Sequence, residues 1–198
     1  PDIDQEYIKN YLPNDKFIIG HVGSIGLTNA LDPFFECAKI LENNKKIVFL
    51  LVGKGDLLDK YKNKYKDCQN IIFAPKVDKE KVHSLLSRID LLFFSTFNSK
   101  VWYYGQSLNK IVDYMYSGRP IIGYYSGFQS MINEADCGEF VPANNINLLA
   151  KTFLKYSKFS KKDLLKIGSR GKSWLIENRS YEILSNKLFR ILERTFHE

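Results

Sequence analysis

Five short apolar runs with almost no polar alternation constrain the fold of this chain most. They are Phe17–Val22, Ile47–Val52, Ile71–Phe73, Leu91–Phe94 and Ile121–Tyr125, and their starts lie 30, 24, 20 and 30 residues apart. A strand that is apolar on consecutive residues is covered on both faces, which is the habit of parallel sheets. The stretches between the runs carry helical spacing. In Pro33–Glu42, Phe34, Phe35, Ala38 and Leu41 share one face, with Asp32 as the expected N-cap. Val82, Leu85, Leu86 and Ile89 repeat the pattern within Lys79–Ile89. Strand and helix alternating at this spacing predict an α/β fold: a Rossmann-like open parallel sheet with helices on both faces. Gly138–Val141 is expected as a short sixth strand. The chain then turns helical over Asn145–Tyr156, Lys161–Glu177 and Tyr181–Thr195, with Gly168 and Gly171 weakening the middle helix. A polar, helix-containing lead-in precedes the first strand.

Composition narrows the function classes. With 198 residues, 44% hydrophobic and 26% charged, the chain has the length and balance of one globular domain, not of a disordered or disulfide scaffold. No apolar run approaches the roughly 20 residues of a spanning helix. No signal peptide is evident, and the start at Pro1 reads as a piece of a longer protein. The net charge of +7, carried mostly by Lys, suits anionic partners such as nucleic acid, lipid headgroups or diphosphates, and equally suits a Lys-solvated surface. Cys37, Cys68 and Cys137 are widely spaced and odd in number, which points to a reducing compartment and no zinc site.

Several common chemistries are missing. There is no Walker-type phosphate loop, no nucleophile elbow around Ser24, and no full dinucleotide fingerprint, because Leu58 stands where a third glycine would follow Gly53-Lys54-Gly55. His21, His83 and His197 are scattered and read as structural. Asp2-Ile3-Asp4 is a formal D-x-D, but it lies before the first strand and is not expected to hold a metal.

The remaining signals cluster at strand ends. The first strand runs into Gly23-Ser24-Ile25-Gly26, where glycines let backbone N–H groups approach an anion, although a plain tight turn fits as well. Gly53-Lys54-Gly55 ends the second strand with a cation, and Ala74-Pro75-Lys76-Val77 ends the third. After the fourth strand comes a polar–aromatic loop, Ser95–Tyr104, then Gly105-Gln106-Ser107-Leu108-Asn109-Lys110-Ile111-Val112-Asp113-Tyr114-Met115. Ser107 is expected to cap a helix starting at Leu108. A lysine in a first helical turn is electrostatically unfavourable unless an anion sits there, so Lys110 points to a phosphate. Asp113, one turn deeper, suits ribose hydroxyls; the competing reading is a local Lys110–Asp113 ion pair.

These segments together resemble the C-terminal, donor-binding half of a GT-B glycosyltransferase of the family-4 type. The resemblance is carried by Ile19–Leu31, Phe49–Gly55, Ile71–Val77, Ser107–Pro120 and Ala135–Pro142. It is similar most of all to fucosamine transferases of bacterial O-antigen and exopolysaccharide clusters. The resemblance implies a retaining, metal-independent enzyme with no cofactor. Its donor would be a nucleotide sugar, UDP-linked, carrying an amino or deoxy-amino sugar. Its acceptor would be a lipid-linked glycan in surface polysaccharide synthesis, with the full-length protein cytoplasmic and peripheral at the inner membrane face. It implies an absent N-terminal acceptor domain, against which Tyr181–Thr195 would pack, and no nucleic-acid partner.

Carried over by position, Gly23 and Ser24 would lie against the diphosphate, with Lys54 adding charge. Lys76 and Val77 would border the base. Asn109 and Lys110 would hold the phosphates through backbone N–H groups, Asp113 would hold the ribose, and Gln106 and Ser107 count among the donor-binding residues. The family's first acid falls on Gly105, so the catalytic residue stays unknown. Its Arg and Lys after the first strand fall on Ser24 and on Thr28 or Asn29, leaving Lys110 to take over the charge. A non-catalytic nucleotide-binding α/β module and a nucleotide-sugar epimerase half remain the alternative readings.

Overall fold

The computed structural model describes residues 1–106, 108–128 and 130–196. Six strands form one sheet: β1 (Phe17–Val22), β2 (Ile47–Val52), β3 (Ile71–Ala74), β4 (Leu91–Ser95), β5 (Ile121–Tyr124) and β6 (Gly138–Val141). All pair in parallel, in the order β3-β2-β1-β4-β5-β6. The five apolar runs are the first five strands, and the sixth strand stands where it was expected. The longest ladder joins β1 to β2, from Phe17 opposite Ile47 to Val22 opposite Val52.

The helices among the described residues are α1 (Gln5–Tyr11), α2 (Asp32–Ile40), α3 (Leu58–Lys64), α4 (Val82–Leu86), α5 (Asn109–Tyr116), α6 (Met131–Glu134), α7 (Ile146–Tyr156), α8 (Lys161–Arg179) and α9 (Tyr181–Phe196). Successive strand residues face opposite sides, so the sheet has two cores. On one side Ile19, Phe49, Leu51 and Phe93 meet α2, α3 and α7. Phe34 stacks on Phe93 at 5.4 Å between ring centres, and Phe153 sets its edge against Phe49 and Phe93. On the other side Ile18, Leu50, Leu92 and Phe94 meet Leu85, Leu86, Ile111, Met115 and Leu175 of α4, α5 and α8.

Local details differ from the sequence-based expectation. Asp32 does not cap α2; Leu31 holds that position. Asp32 lies inside the first turn, where its carboxylate accepts a 3.2 Å hydrogen bond from the Tyr61 hydroxyl. Helix α5 begins at Asn109, with Leu108 at the cap position and no side-chain cap bond, so the expected start at Leu108 is one residue early. Ser107 lies outside the described residues. Lys79–Ile89 divides into a 3-10 turn at Lys79–Lys81 and the short α4. Gly168 and Gly171 do not interrupt α8, which runs on to Arg179. A Cβ on Gly168 would lie 2.1 Å from the Gly118 carbonyl oxygen, so the missing side chain is what lets α8 seat against the end of α5.

Helix α9 rests on α8 and leaves Leu184, Leu188, Phe189, Ile191 and Leu192 exposed. No helix among the described residues is long and apolar enough to cross a membrane.

The α8 contact gives a direct stability test. Gly168→Val must displace backbone, not a flexible side-chain tip. A loss of about 1–3 kcal/mol or more is expected, read as a lower urea midpoint against the parent chain.

Candidate functional site

Strand order reverses between β1 and β4, and in open α/β sheets this reversal opens a crevice at the carboxyl ends of the strands. The pairing of β1 with β2 continues beyond the strands into the loops that follow. Gly23 N donates to Val52 O at 3.0 Å, and Ile25 N donates to Lys54 O at 2.9 Å. A Cβ on Gly53 would lie 1.8 Å from Gly23 O, and one on Gly55 would lie 2.2 Å from Ile25 O. The glycines of Gly53-Lys54-Gly55 therefore serve close backbone approach. Beside the paired loops lies a groove of about 310 Å³. Gly23, Ser24, Lys54, Lys76 and Val77 line it over Val22, Val52 and Val82. Five of the expected site residues are thus brought together.

Lys110 joins them from α5. Its ammonium donates to Asn29 Oδ1, and Asn29 Nδ2 donates to Ser24 Oγ at 3.1 Å. Ser95 at the end of β4 locks this loop by donating to Asn29 O at 2.6 Å and lying 3.0 Å from Ala30 O. A Cβ on Gly23 would lie 3.6 Å from Lys110 Nζ, so the ammonium stands against the bare backbone of that glycine. Burial pushes the Lys110 pKa down to about 8. The local ion pair with Asp113 does not form; no pair within 4.0 Å joins them among the described residues. Tyr114, one turn after Lys110, fixes α5 to the strands. Its hydroxyl accepts from Val22 N at 2.9 Å and lies 3.0 Å from Val22 O.

His21 sits directly beneath this cluster, fully buried. Its Nδ1 faces Phe93 O at 3.2 Å and its Nε2 faces Ser24 O at 3.4 Å. Burial first, then the Lys110 charge, pushes its pKa down to about 3.

The other expected residues stand on the β4–α5 side. Gln106 Nε2 donates to Ser130 Oγ at 3.1 Å, while its buried Oε1 has no partner among the described residues. Asn109 opens α5, exposed, and Asp113 is exposed one turn on. Gly105 has φ +118°, and a Cβ there would meet nothing within 4 Å, so the position is open in space but costly for any residue with a side chain.

A second hollow, of about 500 Å³, lies among Asp2, Glu80, His83, Ser84, Tyr116 and Lys172. The D-x-D carboxylates are engaged: Asp4 pairs with Lys81 at 2.8 Å and Asp2 accepts from Ser84 Oγ at 3.0 Å. His83 sets its ring against Tyr116 at 4.5 Å. His197 lies outside the described residues.

Sequence reasoning missed His21 and Tyr114 as parts of the site. Both carried a readable signal: His21 stands two residues before Gly23, and Tyr114 lies at i+4 from Lys110 on the same helix face.

With this geometry in hand, comparison with known proteins is decisive at the family level. Residues 16–158, well over half of the chain, match the family described as glycosyl transferases group 1. The chain belongs to this family. No curated protein matches it. Among solved structures it is similar to S. aureus TarM, a mutant in complex with fondaparinux, α-GlcNAc-glycerol and UDP. The identity is 22% and the TM-score 0.73, over 88% of this chain and 35% of TarM. It is similar to Anabaena HepE in complex with UDP-glucose at 13% identity and TM-score 0.70, over 91% of this chain and 49% of HepE. The C-terminal domain of a group 1 glycosyl transferase (LpcC) from Francisella tularensis gives 18% identity and TM-score 0.70, over 91% of this chain and 95% of that domain. The chain thus spans about a third to a half of the longer structures, and its fold is that of one GT-B half.

The Tyr114 link is testable apart from any ligand. Tyr114→Phe keeps the ring but leaves Val22 N–H without its partner. It should cost about 1–3 kcal/mol in urea unfolding.

Proposed function

We propose that this glycosyltransferase domain is the donor half of a longer enzyme and binds the diphosphate of a UDP-sugar in the β1–β4 crevice. The observation that carries the reading is the Lys110 ammonium, partly buried and held by Asn29 against the bare backbone of Gly23. Burying a lysine with only a neutral amide for a partner is unfavourable, and an anion offsets that cost. Lys54 and Lys76 flank the same groove with further positive charge. The UDP and UDP-glucose named in the TarM and HepE complexes are consistent with this ligand class.

In transfer, negative charge grows on the departing diphosphate. A fixed ammonium and the N-terminal end of α5 meet that charge without reorganising. Gly23 and Ser24 then lie along the diphosphate and Lys76 and Val77 along the base, with Lys54 adding charge. Gln106, Ser107 and Asn109 serve the phosphate side and Asp113 the ribose. The proposed reaction retains configuration and uses no metal or other cofactor: the lysines meet the diphosphate charge, and Asp2 and Asp4 are engaged with Ser84 and Lys81. The donor sugar is an amino or deoxy-amino sugar of the fucosamine type, on the strength of the Ser107–Pro120 segment. The acceptor is a lipid-linked glycan at the inner membrane face, in bacterial surface polysaccharide synthesis, and the net charge of +7 suits an anionic surface. The exposed apolar side of α9 supplies a surface for an acceptor domain to pack on.

Calorimetric titration with UDP, with ADP and GDP as controls, tests the reading. UDP is expected to bind selectively, and Lys110→Met to weaken it by about 2 kcal/mol or more, roughly thirtyfold. Equal binding by the variant would refute the role of Lys110. The pH dependence has a definite sign: the ammonium is lost as pH rises through about 8. Through Lys110, UDP-glucose affinity should therefore fall by up to about tenfold per pH unit above 8.

A further inference from the structure

We propose that His21 takes up a proton when a diphosphate seats against Lys110, and that the resulting imidazolium clamps the carbonyls of Ser24 and Phe93. The inference rests on the diphosphate reading above and assigns a positioning residue within that site.

The groups facing the two ring nitrogens of His21 are both backbone carbonyls, Phe93 O at 3.2 Å and Ser24 O at 3.4 Å. A carbonyl only accepts. A neutral imidazole has one N–H, so it satisfies one carbonyl and turns a lone pair toward the other. Only the imidazolium satisfies both. The free site is thus built around a ring that is one proton short.

Two effects withhold that proton. The ring is fully buried, and the Lys110 ammonium repels a second positive charge. The remaining groups around it are uncharged. From α5, the Tyr114 hydroxyl reaches the same Phe93 O at 3.4 Å, and burial keeps it neutral. From the loop after β1 come Ser24 and Asn29, and from β2 the paired residue Leu51. Among the described residues Lys110 is the charged group that acts on the ring.

A bound diphosphate reverses the sign of that field. The point where Gly23 would carry a Cβ lies 3.6 Å from Lys110 Nζ and 3.7 Å from His21 Nε2. An anion resting against this glycine therefore stands close to both groups. At an effective dielectric of about 20, each unit charge at about 6 Å changes proton affinity on the order of a hundredfold. Two negative charges outweigh one ammonium. The proton comes from solvent, and the ring passes from one N–H to two. Ser24 belongs to the loop that lines the groove, and Phe93 to the neighbouring strand across the crevice. Protonation draws both toward one ring and stiffens the site while the anion is present.

The test uses the untagged chain carrying His83→Gln and His197→Gln, so that His21 is its one histidine, labelled with ¹⁵N in the ring. The probe is UDP-glucose, whose diphosphate diester stays fully ionised from pH 5 to 8 and brings no titration of its own. Lys110 is already protonated at pH 6, so proton uptake there is not its own. Ring ¹⁵N shifts are followed against pH with and without saturating UDP-glucose, and binding heats are compared in buffers of different ionisation enthalpy. The expected result is a neutral ring at pH 6 without ligand. With ligand, the ring carries protons on both nitrogens, its proton affinity rises about ten-thousandfold, and uptake at pH 6 approaches one proton per site. Binding with the ring still neutral and heats independent of buffer would overturn the inference and leave the diphosphate reading standing. If neither UDP-glucose nor UDP binds, the diphosphate reading itself fails and the inference fails with it.

Discussion

Strand β1 is hydrogen-bonded on both sides, to β2 along its whole length and to β4 across the point where the sheet reverses direction. Everything at the site hangs on this placement. The ladder with β2 does not stop at Val22 but continues into the glycine loops, so the two loops hold each other rigid. On the other side, the sheet leaves a crevice because the crossovers to β2 and from β4 run to opposite faces. A central strand with a rigid exit beside an open crevice is what lets a backbone, without side chains, form the wall of a binding site.

Charge is then placed against that wall from a distant part of the chain. Lys110 is 81 residues from Asn29, yet its ammonium ends on the Asn29 side chain. Tyr114 makes this possible by tying α5 to Val22 through one hydroxyl. The result is a partly buried cation with the fully buried His21 below it. On the proposed donor reading, this partial desolvation strengthens the attraction for a diphosphate.

Much of this was legible in sequence, for identifiable reasons. Strands such as Ile47–Val52 are apolar on every residue, and only burial on both faces makes that pattern stable, so the parallel sheet could be read directly. The strand-end glycines and Lys110 announced themselves because their residue types are unfavourable where they stand. Helix boundaries were less legible. Asp32 reads as a cap by residue type, but tertiary packing places it inside α2 against Tyr61. Gly168 reads as a helix breaker, but its bare Cα is a contact surface for Gly118, a partner 50 positions away that no local pattern reveals. His21 reads as an ordinary strand residue because its significance lies in two carbonyls that only the folded backbone brings to its ring.

The sequence by itself determined the layer architecture, the edge of the sheet that carries the site, and the residue types gathered there, because periodicity, glycine and misplaced charge are local properties of a chain. Tertiary structure alone decided which of these residues meet. It paired Lys110 with Asn29 and left Asp113 apart, since a long flexible side chain goes to the acceptor that packing holds within reach. It made Gly53 and Gly55 the seam between two loops, since a Cβ there would collide with neighbouring carbonyls. It also set His21 between two acceptors beside the Lys110 ammonium, a conflict that arises from three-dimensional proximity and so has no counterpart along the chain.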